Sequence, residues 1–114
     1  MAKIPDKLAE RIWSLKRQLL EIVNAATLAE FTLFERFGET NETLPLLDEL
    51  KNVAERAAPW FSRLSKFQLR FAESQPVLSA DMLNLVRQSI ERIQAEIPAM
   101  EQSIQEVKNE WNLP

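Results

Sequence analysis

LNLVRQSIERIQAEIPAMEQSIQEVKNEW, residues 83–111, decides the fold. Its apolar residues step by seven along two rows, Leu83, Ile90, Ile97, Ile104 and Trp111 on one and Val86, Ile93, Met100 and Val107 on the other. Such a double row is the seam of a helix that packs against other helices in coiled-coil fashion. The same spacing recurs upstream. Leu8, Ile12, Leu15, Leu19, Ile22, Ala26, Ala29 and Leu33 alternate steps of four and three, and so do Leu46, Leu50, Val53, Ala57, Trp60, Leu64, Phe67 and Phe71, the latter widened by Leu47, Ala54 and Phe61. A seam that broad fits a helix touching two neighbours.

The punctuation between these runs predicts helices over residues 5–37, 45–73 and 80–111. Pro5-Asp6 suits a first turn, with the carboxylate at the positive end of the helix dipole. Gly38, the only glycine, is expected at the left-handed C′ position. Residues 39–43 form a polar connection, Thr43-Leu44-Pro45 offers a cap and a proline start, Ser74-Gln75-Pro76 breaks the second run, and Ser79 caps the third with Asp81 in its first turn. Helices of roughly 30 residues are about 45 Å long at 1.5 Å per residue, and short connections pack them up-down-up. The expected fold is a single all-α domain, an antiparallel three-helix bundle with left-handed coiled-coil packing. Three heptad helices in 114 residues, with Trp13 in the first and Trp60 in the second, are loosely similar to a spectrin-type repeat. That form is common to antiparallel three-helix coiled coils, and no family is recognised from it.

Composition narrows the chemistry. The chain has no Cys and no His, so thiolate and imidazole metal sites, the Ser-His-Asp and Cys-His nucleophilic systems and the usual near-neutral proton shuttle are all missing. One Gly cannot build a phosphate-binding loop. Carboxylate di-metal sites in bundles rely on Glu-x-x-His pairs, and the acids here fall mostly off the seams, Glu96, Glu101 and Glu110 being expected as ion-pair partners of neighbouring helices. No catalytic residue, cofactor or metal is therefore expected. A formal charge of −3 speaks against nucleic-acid binding. There is no run of 18 apolar residues and no apolar signal segment at the N-terminus, which reads as a cytoplasmic protein without stable membrane association.

What remains are surfaces. The first helix carries a second apolar row, Trp13, Leu20 and Phe34 with Thr27 in step and Leu28 and Phe31 beside it, roughly 130° from the seam centre at 100° per residue. Either another chain covers this row or the third helix takes it into the core. The first alternative assigns Trp13, Leu20, Leu28, Phe31 and Phe34 to partner binding in an adaptor, assembly factor or regulatory subunit, with a homodimer or a standing protein partner as the occupant. The second reading of function is a carrier or sensor holding an apolar small molecule near Pro59 and Pro98, two prolines inside helices that remove the bonds to the carbonyls of Glu55 and Gln94 and invite kinks at one bundle height.

Charge adds a polarity. Residues 1–22 and 60–93, expected at one end, hold ten Lys or Arg against six acids, net +4, and the rest hold four against eleven, net −7. A rod polarised in this way suits association of basic end with acidic end. The run from Trp60 to Phe71 interleaves aromatics with cations, but Trp60, Leu64, Phe67 and Phe71 belong to the seam, leaving only Leu69 unclaimed.

Overall fold

The computed structural model describes residues 6–74 and 78–114; Pro5, Gln75 and Pro76 lie outside them. It is a bundle of three long helices, α1 (Asp6–Phe37), α2 (Leu44–Glu73) and α3 (Ala80–Glu110), forming a rod with extents of 56 × 20 × 20 Å. No helix among the described residues is long and apolar enough to cross a membrane.

The seams form the core. All eight apolar seam residues of α1 are buried, from Leu8 to Leu33. Along α3 the buried set is Val86, Ile90, Ile93, Ile97, Met100, Ile104 and Val107, joined by Ser89. Along α2 it is Leu47, Leu50, Val53, Ala57, Leu64, Phe67 and Phe71. Each Leu, Ile or Val so removed from water stabilises the fold by about 1.5–3 kcal/mol before entropy is set against it. Four expected seam residues, Leu46, Trp60, Leu83 and Trp111, are only partly buried. Leu46, Leu83 and Trp111 lie within about a turn of a helix end, and Trp60 lines a depression between α2 and α3.

Helix ends follow the local chemistry with one exception. Gly38 takes φ +67° and its N–H donates to the Phe34 carbonyl at 2.8 Å, ending α1 in the left-handed region that a Cβ disfavours. Ser79 caps α3, its Oγ accepting from the Met82 N–H at 3.1 Å. The far end of α3 closes in a Schellman arrangement, with Asn112 at φ 53° and the Leu113 N–H donating back to the Lys108 carbonyl at 2.8 Å. The exception is Thr43. It has helical backbone angles and makes no side-chain cap; its hydroxyl, fully buried, donates to the Gly38 carbonyl at 2.7 Å and accepts from the Thr40 N–H at 2.8 Å. A hydroxyl that satisfies two loop backbone groups has no lone pair aimed at the helix start.

Side chains tie the helices together at several heights. Arg11 Nη2 donates to Gln94 Oε1 at 2.6 Å, and Lys16 Nζ to Gln68 Oε1 at 2.7 Å. The indole N–H of Trp60 donates to Glu96 Oε2 at 2.8 Å, and at the other end Phe37 meets Trp111 edge to face at 4.9 Å between centroids. Glu96 thus departs from its expected role. Its cross-helix partner is an indole, and its ion pair, to Arg92 at 3.8 Å, lies within α3 and is the only one among the described residues.

Pro59 and Pro98 interrupt neither α2 nor α3, and both face solvent. The core beside them is filled by Ala57, Ile93, Ile97 and Met100, all buried.

Candidate functional site

The second apolar row of α1 is on the outside. Trp13 is 60% exposed, Leu20 53%, Leu28 57%, Phe31 61% and Phe34 47%, while the seam residues interspersed with them are essentially dry. The alternative in which α3 takes this row is thereby overturned. Its physical reason is angular: α3 lies against the flank of α1 that carries Arg11 and Ala25, since Arg11 donates to Gln94 and Ala25 lines one groove with Glu101, Ile104 and Lys108. The exposed row faces away from that flank.

Trp13 and Phe34, the ends of the row that includes Leu20 and Phe31, lie 21 positions apart and so about 31 Å along the helix at 1.5 Å per residue. Between them lies Thr27, whose hydroxyl bonds back to the carbonyls of Val23 and Asn24 at 2.8 and 3.1 Å. With that donor satisfied inside the helix, Thr27 presents its methyl group without an unmet polar demand. Arg17, Asn24 and Glu35 lie along one edge of the stripe, and all three are exposed.

The two ends of the stripe differ. At the Trp13 end, the Lys16 ammonium lies 4.6 Å from the Trp13 ring centroid and 4.9 Å from that of Phe61, a cation held between an exposed and a half-buried aromatic ring. Its bond to Gln68 straps this end of α1 to α2. At the Phe34 end, Phe31, Phe34, Leu44 and Leu47 line a groove of about 360 Å³ between α1 and α2, and its rim carries Glu30, Glu39 and Asp48 against the single cation Lys51. One end is therefore a tryptophan with the Lys16 ammonium on its ring and Glu10 a turn before it, the other an apolar trough with an acidic edge.

Sequence reasoning marked the α1 residues of this face but missed the contribution of α2 to the groove. Leu44 was counted only as part of a helix start, although it lies roughly 150° from the α2 seam centre and is exposed. An off-seam leucine next to an off-seam phenylalanine across a short loop was the available signal. Leu69, expected as the unclaimed residue of α2, is indeed exposed.

A second polar cluster sits between α2 and α3. Arg63 and Arg92 stack on Trp60 at 5.6 and 5.7 Å, and these three line a shallow depression of about 140 Å³ with Leu85, Gln88 and Ser89. Its Trp60 ring is held by Glu96 and its cations by the ring, which accounts for the arrangement as a rim contact between two helices.

No family model matches the chain, and neither a curated protein nor a solved structure matches it.

Proposed function

We propose that this chain is a non-enzymatic protein–protein interaction module, an adaptor, assembly factor or regulatory subunit, that docks through the outward face of α1. The observation that carries this reading is the exposure of Trp13, Leu20, Leu28, Phe31 and Phe34 together on a single helix whose opposite face is fully packed. Isolated exposed leucines need no explanation; five large apolar side chains exposed along one helix are of the kind that marks an interface. Aromatic residues dominate it, and aromatic anchors carry most of the binding energy at protein interfaces. The rest of the molecule supports the role of a rigid presenter, since the seam of α1 is locked into a packed core and holds the outward row in a fixed register.

The reading is tested by placing a photo-cross-linking amino acid at Phe34 and, as a control of equal chemical character, at the exposed Leu69. A discrete protein adduct, to another copy or to a different chain, is expected at Phe34 and not at Leu69. Absence of adduct at Phe34, or the same adducts at both sites, overturns it.

A further inference from the structure

The charge around the apolar face of α1 is not uniform, and its pattern identifies what fits there. The Trp13 end is bordered by Lys16 and Arg17 against the one acid Glu10, a turn before Trp13. The Phe34 end is bordered by Glu30, Glu39 and Asp48 against the one cation Lys51 around the groove of Phe31, Phe34, Leu44 and Leu47. A lipid surface, which carries one sign of charge along its whole extent, would be attracted at one end and repelled at the other. A surface whose charge reverses along its length is complementary to itself turned end for end. That is the condition of an isologous interface, in which one patch meets its own copy across a two-fold axis.

From this we infer that the occupant of the α1 face is a second copy of the chain, packed antiparallel along α1 with the two-fold axis near Asn24. This rests on the reading of α1 as a docking face and adds the occupant and its register. Three features fix the register. Trp13 and the centre of the groove, near Phe34, are equidistant from Asn24 within a residue or so, so each Trp13 enters the groove of the partner. The same operation pairs like edges of the two faces and so brings Lys16 of one copy to the level of Glu30 of the other, twice. It sets Leu20 against the partner's stretch from Thr27 to Phe31, where the Thr27 hydroxyl is already satisfied. Asn24 then faces its own copy at the axis, the placement by which a polar residue in an apolar seam specifies one register over its neighbours.

Because the chain has no cysteine, single nitroxide labels attach cleanly to introduced ones. Glu21→Cys and Glu35→Cys are both surface changes on α1, neither in the buried seam. With helices 8–10 Å apart, labels at position 21, three residues from the axis, should lie within about 25 Å of each other. Labels at position 35 should lie about 30–35 Å apart, set by the 1.5 Å rise over twice the distance to the axis. Phe34→Glu in either labelled chain should abolish the coupling.

Short distances at both positions mean parallel packing and overturn the inference while leaving the docking face in place. No coupling at either position, with a Phe34 cross-link to a different protein, overturns the second copy as occupant and keeps the docking reading. No coupling and no cross-link removes both.

Discussion

Thr43 is the residue whose role the sequence conceals most completely. A threonine before Leu-Pro at a helix start reads as a cap, yet here its hydroxyl closes the connection between α1 and α2 by bonding Gly38 and Thr40, and the cap is not made. Nothing in a list of residues reveals which backbone group a hydroxyl chooses, because the choice depends on loop geometry set by the two helices. Thr43→Val keeps the shape but leaves the Gly38 carbonyl and the Thr40 N–H without this partner in a buried place. The expected loss is about 1–3 kcal/mol, read as a lower midpoint in urea unfolding with an unchanged slope. Trp111 is the converse case. Its indole N–H is buried with no hydrogen-bond partner, while its ring packs on Phe37. Gly38, by contrast, was legible at once, since a lone glycine after a long helical run has few other uses.

At the scale of the element, α1 is a helix with two apolar faces of different fate, and two adjacent leucines define them. Leu19 is fully buried in the seam and Leu20 is half exposed on the outward row. Periodicity identified both rows, because 3.6-residue spacing assigns each residue an angle whatever its surroundings. It did not say which row the third helix covers; that depends on where α3 sits around α1, a property of three elements together. Adjacent substitutions separate the two faces. In a Phe34→Glu background, Leu19→Ala should cost about 2–5 kcal/mol of folding stability through the cavity it leaves, and Leu20→Ala no more than about 0.5 kcal/mol. Thermal or urea unfolding followed by far-ultraviolet circular dichroism checks this, and comparable losses at both positions would contradict the assignment of faces. The partly buried state of Leu83, read as seam and four residues into α3, has the same origin: a heptad position predicts burial only where a neighbour is alongside.

For the whole molecule, the number of helices, their bounds within a residue or two and the identity of most of the core were legible, because a chain with one glycine and three heptad runs has little alternative to a helical bundle. The groove at the Phe34 end was not, since it is assembled from α1 and α2 across the loop that Thr43 closes. Yet that groove converts a row of exposed side chains into a surface with two unlike ends, and the proposed assembly of two rods follows from it. The measurement that tests this most directly is the solution mass of the chain and of its Phe34→Glu variant by light scattering over a range of dilution. Two copies joined through α1 predict twice the chain mass of 13.2 kDa, falling to the monomer mass in Phe34→Glu with helical content retained. A wild-type chain that stays monomeric, or a dimer that Phe34→Glu leaves intact, would contradict it.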